Sequence, residues 1–270
     1  MNPERLNSVL ADIKRTQVAV IGDFCLDAYW MVDTKLSEKS VETGKHTMPV
    51  ETQKYSLGGA GNIVANLVDI GVDRVFALGV VGDDIFGEEM IRMVNSLGAD
   101  TAGMIVQKTR WATPVYGKFY IGGEEQPRAD FGVTNSIAGE TEDRLAAALE
   151  GVLSKVKAVV VNQQLPRGIA SDRLIGMLNA LAAKHPEIFF VVDSRNRSEK
   201  FKHAIYRFNA NEAARLCGRE QPPDQGVLLD DVKAVRDAAF RGDDGGAARV
   251  VAEAQARGQL AQRRRFHGVE

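Results

Sequence analysis

The sequence predicts an α/β protein with a parallel central sheet. Four short, nearly continuous apolar runs recur along the chain, namely "QVAVIG", "RVFALGVVG", "KAVVVN" and "IFFVVD". They alternate with stretches of helical periodicity near residues 61–70, 84–97, 142–154 and 171–184. Short apolar strands that alternate with helices are typical of a parallel sheet that is covered by helices on both faces.

The chain begins with a predicted helix. Asn2 is a suitable N-cap, and Pro3 suits the first helical turn. Apolar residues then recur at spacings of three and four, which places them on one face of the helix: Leu6, Val9, Leu10 and Ile13. We expect this face to pack against the protein.

Two segments, residues 28–56 and 110–131, depart from this alternation. Both are rich in residues that favour strands, and the second contains the alternating run "VYGKFYI" before Gly122 and Gly123, a pair suited to a hairpin turn. Because each segment is inserted between core elements, we expect them to form a small separate sheet over one edge of the main sheet. Two alternatives stay open for this sheet, a mobile lid or an additional packing layer.

The composition argues against several functional classes. The chain has 270 residues with 34 Lys and Arg against 36 Asp and Glu, so it lacks the strong positive field of a nucleic-acid-binding protein. Its cysteines, Cys25 and Cys217, lie far apart in apolar runs, as in a reduced cytoplasmic protein. No run of eighteen apolar residues predicts a membrane span.

Polar residues follow each predicted strand, at the ends where parallel sheets bind their ligands. In chain order they are Asp23 and Asp27, Asp83 and Asp84, Asn162, and Asp193 with Arg195. Asp83 or Asp84 has an alternative structural role as the N-cap of the following helix. No such local role is evident for Asp27 or Asp193.

The stretch "SLGGAGNIVANLVDIG" places Gly58 and Gly59 before an apolar helix. A dinucleotide-binding turn would directly follow the first strand, and a Walker loop would need the pattern GxxxxGK followed by Ser or Thr, so neither motif fits. Two interpretations remain. Either the bare glycine backbone lets a hydroxyl-bearing ligand approach beside Asn62, or the stretch is a tight turn that Asn62 caps.

Several short motifs between residues 15 and 218 follow one another in a distinctive order. They are Gly22-Asp23 with Asp27, Tyr29-Trp30, Asp33-Thr34, Gly58-Gly59 with Asn62, Gly82-Asp83-Asp84 with Gly87, "EQPRADF", and Asn209 with Glu212 in "FNANEAARL". In this order and spacing they resemble the ribokinase-type (pfkB) family of carbohydrate kinases, closest to its heptose phosphate kinase branch. The resemblance implies a three-layer ribokinase-like parallel-sheet core with a small β lid.

We divide the chain accordingly. Residues 1–27, 57–109 and 132–233 are assigned to the α/β core, and residues 28–56 and 110–131 to the β lid. Residues 234–270 form an atypical tail that is rich in Ala, Arg, Gly, Asp and Gln.

The resemblance also assigns roles to individual residues. It implies that the substrate is bound by Asp27, Gly58, Gly59, Asn62, Gln126 and Arg128. It implies that the nucleotide lies near Asp193, Arg195, Asn209 and Glu212. Arg128 is suited to a phosphate already on the substrate, and Glu212 to ordering Mg²⁺ through water. The implied activity is ATP-dependent phosphorylation of a hydroxyl of a sugar or sugar phosphate, heptose phosphate being favoured, by a cytoplasmic homodimer that pairs through the lid.

One family motif is absent from the sequence. In the family the catalytic base is an aspartate in a Gly-Ala-Gly-Asp run whose backbone amides form an anion hole. The nearest stretch here, Asp244-Gly245-Gly246-Ala247, continues with Ala248 and Arg249. We therefore identify no catalytic residue and expect a truncated or frame-shifted kinase without the C-terminal catalytic part. Two alternatives are a non-catalytic protein that binds a sugar or sugar phosphate on a kinase scaffold, and a structural subunit.

Overall fold

The computed structural model describes residues 2–209, Glu212 and the backbone of residues 249–252. The helices are α1 (Pro3–Ile13), α2 (Ala60–Asp69), α3 (Ile85–Ser96), α4 (Gly139–Leu153) and α5 (Asp172–Lys184). The strands are β1 (Gln17–Gly22), β2 (Phe24–Val32), β3 (Val50–Gly59), β4 (Arg74–Gly82), β5 (Asp100–Gln107), β6 (Val115–Ile121), β7 (Glu124–Glu125), β8 (Ala129–Phe131), β9 (Ala158–Gln163), β10 (Phe189–Ser194), β11 (Ile205–Phe208) and β12 (Arg249–Ala252). The stretch at residues 244–248 and most of the predicted tail lie outside the described residues.

The main sheet contains seven strands in the order β12-β11-β10-β9-β1-β4-β5, and every neighbouring pair is parallel. The four apolar runs form β1, β4, β9 and β10, which occupy four adjacent positions in this order. The predicted parallel sheet is therefore confirmed. None of the helices among the described residues is long and apolar enough to cross a lipid bilayer.

Helices cover both faces of the main sheet, which gives the predicted three layers. Successive residues of a strand point to opposite faces. In β1, Ala19 and Ile21 are buried in the cluster that contains the apolar residues of α4 and α5. Val20, between them, is buried with the apolar residues of α2 and α3 on the other face. The runs are continuously apolar because both of these faces are buried.

A second sheet lies beside the core, with strand order β3-β2-β6-β7 and with β8 paired to β6. β2 is antiparallel to β3 and parallel to β6. Two strands of this sheet extend beyond the predicted lid segment 28–56, since β2 begins at Phe24 and β3 ends at Gly59. The division of the chain into core and lid segments stays a prediction.

The hairpin between β6 and β7 turns at the two glycines that the sequence indicated. Gly122 and Gly123 have φ angles of 58° and 86°. A two-residue type I′ turn requires positive φ at both central positions, which glycine adopts without steric cost.

The first helix begins as predicted but packs only loosely. The Asn2 side chain accepts a hydrogen bond from the backbone N–H of Arg5 at 2.8 Å. No residue of α1 is buried, and Leu6 and Leu10 are 47% and 40% exposed. The expectation that the whole apolar face packs on the protein is therefore wrong for these two leucines.

The second sheet is fastened to the core where the chain leaves and re-enters it. Asp84 caps α3 by accepting the N–H of Gly87 at 2.8 Å, and its other carboxylate oxygen accepts the N–H of Thr113 at 2.8 Å. The side chain of Asn135 exchanges two hydrogen bonds with the backbone of Ala112. The capping role expected for Asp84 is thus confirmed, and the same side chain holds the entry to β6.

We predict that Gly59→Ala lowers the free energy of unfolding by about 3 kcal/mol or more, because two penalties add. Gly59 has a φ of +54°, and a Cβ there would lie 2.2 Å from the carbonyl oxygen of Asp23. Gly98→Ala is the matched control, since Gly98 has a φ of +80° but no atom within 4 Å of the added Cβ. It should cost only about 1 kcal/mol. Equal losses in urea unfolding of the two variants would contradict the steric explanation.

Candidate functional site

A cavity of about 710 Å³ lies at the carboxyl ends of β9 and β10, between the main sheet, the start of α2 and the second sheet. Seven of the ten residues that the sequence predicted for substrate or nucleotide line it: Asp27, Gly58, Gly59, Asn62, Arg128, Asp193 and Arg195. Its size is that of a small-molecule site.

The floor of the cavity is a row of polar side chains on three neighbouring strands, which we call the polar rung: Asn162 on β9, Asp193 on β10 and Arg207 on β11. The three residues are direct partners in the strand register. The Asp193 carboxylate accepts a hydrogen bond from the Arg207 guanidinium at 2.9 Å and one from the Asn162 amide at 3.4 Å. The rung therefore carries an ion pair and an amide side by side.

Strand alternation explains which residues reach this floor. Val160 and Val191, two residues before the rung on β9 and β10, also line the cavity, as do Gln164 and Arg195, two residues after it. Side chains two positions apart point to the same face of a strand. Each of the two strands thus presents an apolar and then a polar residue to the cavity, and Gln164 and Arg195 join them from the residues that directly follow the strands.

Gly58 and Asp27 lie side by side at the wall formed by β2 and β3. A Cβ on Gly58 would lie 3.3 Å from a carboxylate oxygen of Asp27 and 2.8 Å from the Sγ of Cys25. The bare backbone at residue 58 therefore keeps the approach to the Asp27 carboxylate open. Burial raises the pKa of the Cys25 thiol to about 12, so this side chain adds no charge to the wall at neutral pH.

The Asp27 carboxylate is paired with Lys118 on the neighbouring strand β6, at 2.9 Å. Both side chains are largely buried, with 23% and 19% exposure. Burial alone would lower the pKa of Lys118, but the hydrogen bond and charge of Asp27 raise it above its ordinary value. The Lys118 ammonium also lies 4.8 Å from the ring centre of Tyr29. The ion pair fixes the carboxylate at the edge of the cavity.

Helix α2 begins at the cavity without a side-chain cap. Its N-cap residue is Gly59, and no side chain accepts a hydrogen bond from its first turn. Asn62 is exposed to the cavity and is joined there by Asn66, one turn later. The alternative that Asn62 caps a tight turn is therefore wrong. The uncapped amides give this end of the helix a partial positive charge.

Arg128 reaches the cavity from the segment between β7 and β8. Its guanidinium makes a two-pronged ion pair with Asp130, at 2.5 and 2.8 Å, and its Cζ lies 4.4 Å from the ring centre of Tyr116. The hydrogen bonds that Arg128 donates to Asp130 raise the pKa of Arg128 above its ordinary value. Stacking on Tyr116, which also lines the cavity, holds the charge at its rim.

Asp23 is buried beneath the cavity and ties three of its parts together. Its carboxylate accepts hydrogen bonds, each of 2.8 Å, from the backbone N–H groups of Gln164, Leu165 and Ile169. Its backbone carbonyl accepts the N–H of Ala60, the first residue of α2. Burial raises the pKa of Asp23, and the three N–H donors oppose that rise.

Asn209 and Glu212 bond to each other through side chain and backbone. The Asn209 side chain accepts the N–H of Glu212, and the Glu212 carboxylate accepts the N–H of Asn209, both at 2.9 Å. This reciprocal pattern is that of a helix capping box. Burial, together with the charge of Asp193, raises the pKa of Glu212. Neither residue lines the cavity, so their predicted roles at the nucleotide and metal stay predictions.

Gln126 also lies outside the lining of the cavity. Its amide donates to the backbone carbonyl of Glu124 at 3.2 Å, within the hairpin of β6 and β7. Its predicted contact with substrate stays a prediction. Among the described residues, no group of three or more His, Cys, Asp or Glu side chains is arranged to hold a metal ion directly.

Several residues of the site received no role in the sequence analysis. They are Asn66, Tyr116, Lys118 and Arg207, together with Asn162, which was noted only as a polar strand end. Period-two alternation carries part of the signal, since Tyr116 and Lys118 are the polar positions of "VYGKFYI". Arg207 could not be found this way, because its relevance comes from the order of the strands.

A family model described as pfkB family carbohydrate kinase matches residues 15–260 of the chain. The bifunctional protein HldE of Helicobacter acinonychis is 27% identical over 207 residues, which cover 74% of this chain and 43% of that protein. HldE of Wolinella succinogenes is 27% identical over 215 residues, which cover 78% of this chain and 44% of that protein. The chain thus spans about two fifths of the length of these relatives.

Solved structures share the fold. The phosphofructokinase-2 from Escherichia coli in complex with fructose-6-phosphate superposes with a TM-score of 0.62 at 17% identity, covering 89% of this chain and 74% of that chain. The ribokinase from Cryptococcus neoformans in complex with ADP has a TM-score of 0.54 at 16% identity and covers 88% of this chain and 73% of that chain. The predicted ribokinase-like fold is confirmed.

We predict that Asp23→Asn lowers the free energy of unfolding by about 3 kcal/mol, because an amide leaves one or two of the three buried N–H donors without an acceptor. Asp12→Asn is the control. Asp12 is an exposed carboxylate paired with Arg15, so its loss should cost less than about 1 kcal/mol.

The pH dependence of the free energy of unfolding gives a second comparison of the native chain with Asp23→Asn. Because the folded pKa of Asp23 is raised, the native carboxyl contributes most below its ordinary value of 3.8 and less as the pH rises through the raised pKa. The deficit of Asp23→Asn should therefore widen as the pH is lowered from 7 toward 4 in urea titrations. A deficit that narrows with falling pH would contradict the assignment.

Proposed function

The chain belongs to the pfkB family of carbohydrate kinases, and on that premise we propose that its cavity binds a sugar or sugar phosphate whose hydroxyl receives the terminal phosphoryl group of ATP. The observation that carries this proposal is the convergence of Asp27, Gly58, Gly59 and Asn62 on one cavity that also holds Asp193 and Arg195. The family supplies the kind of substrate and the use of ATP.

Sugar recognition is proposed for the wall at β2, β3 and α2. A carboxylate accepts hydrogen bonds from hydroxyl groups, and the Asp27 oxygens are held in place by Lys118 at 2.9 Å. The bare backbone at Gly58 admits a ring close to that carboxylate, and Asn62 offers an amide donor and acceptor nearby.

A phosphate on the substrate is proposed to lie at Arg128. The guanidinium is already aligned for two-pronged binding, which it makes with Asp130 at 2.5 and 2.8 Å. A phosphate dianion would compete with the Asp130 carboxylate for the same donors. Because the chain resembles the heptose phosphate kinase branch, we propose a phosphorylated seven-carbon sugar as the substrate.

ATP is proposed to lie next to Asp193 and Arg195. Glu212, beside Asn209, would order Mg²⁺ through water. Burial raises the pKa of Glu212, and the negative charge of Asp193 adds to that rise. A nearby divalent cation would relieve the repulsion between the two carboxylates. When bound, the cation would neutralise the phosphate charge during transfer.

We propose that the second sheet covers the bound sugar and joins two copies of the chain in a homodimer. β3 is an edge strand of this sheet, and the residues of its first half, 50–54, are exposed. Exposed edge strands carry unpaired backbone groups that pair readily with another strand. A cytoplasmic location is proposed as well, because ATP is available there.

We predict that the chain phosphorylates a member of a panel of ribose, fructose 6-phosphate and heptose 7-phosphate in the presence of ATP. Product detection measures the transfer, and calorimetry measures sugar binding. Asp27→Ala should weaken sugar binding by about 100-fold, since it removes a charged acceptor of hydroxyl groups. Glu150→Ala is the control, because Glu150 is an exposed carboxylate on α4 outside the cavity.

The possible outcomes of this panel separate the two hypotheses for the chain. Sugar binding with phosphoryl transfer supports the kinase. Sugar binding without transfer supports a sugar-binding protein on a kinase scaffold, in line with the missing Gly-Ala-Gly-Asp run. Sugar binding that is unchanged in Asp27→Ala would contradict both.

A second prediction concerns the substrate phosphate. Arg128→Met should weaken the binding of a sugar phosphate by about 10-fold or more and leave the unphosphorylated sugar unaffected, because one charge-assisted contact is lost. Asp130→Asn should act in the opposite direction, since it removes the competitor for Arg128. Lys108→Met, at an exposed lysine, is the control. Equal effects of Arg128→Met on both sugars, measured by calorimetry, would rule out the phosphate role.

A further inference from the structure

One acceptor at the cavity has no hydrogen-bond partner. The side chain of Asn162 is buried, with 2% exposure, and its Oδ1 makes no hydrogen bond, while the residue lines the cavity. Among the described residues, the only other buried side-chain atom in this condition is the Nε1 of Trp111, which lies outside the cavity. Buried polar groups are almost always paired, so an orphan acceptor on a residue that lines a ligand cavity indicates a partner in the ligand.

The neighbours of Asn162 fix which way its amide points. The amide nitrogen donates to the Oδ2 of Asp193 at 3.4 Å, and the same oxygen accepts a hydrogen bond from Arg207 at 2.9 Å. The opposite orientation would set the amide oxygen against a carboxylate, and two acceptors repel each other. The polar rung therefore engages the amide N–H₂ and leaves Oδ1 as the group of this side chain that a ligand can pair with.

An amide oxygen selects among the groups of a sugar phosphate. It accepts from an O–H or N–H donor, and it repels phosphate and carboxylate oxygens. The phosphate of the substrate is thus disfavoured at Asn162 and is left to Arg128 at the rim. Of the remaining polar groups of a sugar, only the hydroxyls carry a donor, since a ring oxygen accepts but cannot donate.

We propose that Asn162 is a specificity-determining residue whose Oδ1 accepts a hydrogen bond from one particular hydroxyl of the substrate. This inference rests on the proposed function, because it assumes that a sugar occupies the cavity. Asp193 and Arg207 act through Asn162 as positioning residues. A sugar that lacks this hydroxyl would leave a buried acceptor unpaired, and sites built in this way reject such analogues strongly.

The test compares the binding of deoxy analogues of the sugar to the native chain and to its variants. The parent ligand is whichever of ribose 5-phosphate, fructose 6-phosphate and heptose 7-phosphate binds the native chain most tightly in calorimetry, and each of its mono-deoxy analogues is then titrated. In the native chain one analogue should bind about 10-fold or more weakly than the parent. In Asn162→Ala the parent should weaken by a similar factor, and that same analogue should now bind within about 2-fold of it.

Asn95→Ala is the matched control, because Asn95 is an exposed amide on α3 outside the cavity. This variant should keep the native pattern of discrimination. Asn162→Leu controls for a loss of stability. Both Asn162 variants lose the 3.4 Å hydrogen bond to Asp193, but Leu fills the space that Ala leaves empty, so the Tm of Asn162→Leu without sugar should equal or exceed that of Asn162→Ala.

The outcomes separate this inference from the proposed function. If Asn162→Ala still discriminates fully between the parent sugar and its deoxy analogue, the inference is overturned and the proposed function stands. The same conclusion follows if Asn162→Leu has a lower Tm than Asn162→Ala and loses affinity equally for every analogue. A loss of Mg²⁺ binding in Asn162→Ala with unchanged sugar affinities would assign Oδ1 to a cation and also overturn it. If the native chain binds none of the three sugar phosphates, the proposed function fails, and the inference fails with it.

Discussion

The buried carboxylate of Asp23 is the interaction on which the candidate site depends. It accepts three backbone N–H groups from the loop after β9, while the backbone of the same residue bonds to Asn162 and to Ala60 at the start of α2. A charge in this position is costly unless several donors satisfy it. That cost is met by three donors from a single chain segment, the loop after β9. One residue thereby fixes the end of β1, the loop after β9 and the first turn of α2 relative to one another.

The charged groups around the cavity are already paired, which has consequences for ligand binding. Asp27 pairs with Lys118, Asp193 with Arg207, and Arg128 with Asp130. Pairing orients each group and limits its desolvation cost, so a ligand meets a site that is preorganised. A ligand phosphate must compete with Asp130, whereas a hydroxyl can share the Asp27 carboxylate with Lys118. The unpartnered Asn162 oxygen differs from these groups because no residue in the described part of the chain competes for it.

The sequence predicted the core of this fold well and the site in part. Apolar runs such as "RVFALGVVG" located four adjacent strands because both faces of the sheet are buried, and that burial leaves a continuous apolar pattern. Asp27 and Gly58 were found through motifs, and the structure places them next to each other. The partners were not predictable. Lys118 and Arg207 matter only because β6 lies beside β2 and β11 beside β10, and a linear pattern does not carry strand order. The exposed leucines of α1 show another limit of sequence-based prediction. Amphipathic spacing indicates a helix, but it does not show how firmly that helix packs against the protein.

A crystal structure of the chain with a bound sugar phosphate tests the central claim most directly, which is that hydroxyl groups bind where Asp23 holds the cavity together. We expect a sugar ring between β3 and the polar rung, with one hydroxyl within about 3.2 Å of the Asp27 carboxylate and another within the same distance of the Asn162 Oδ1. A sugar bound elsewhere on the protein, with both of these acceptors left without a ligand contact, would contradict it.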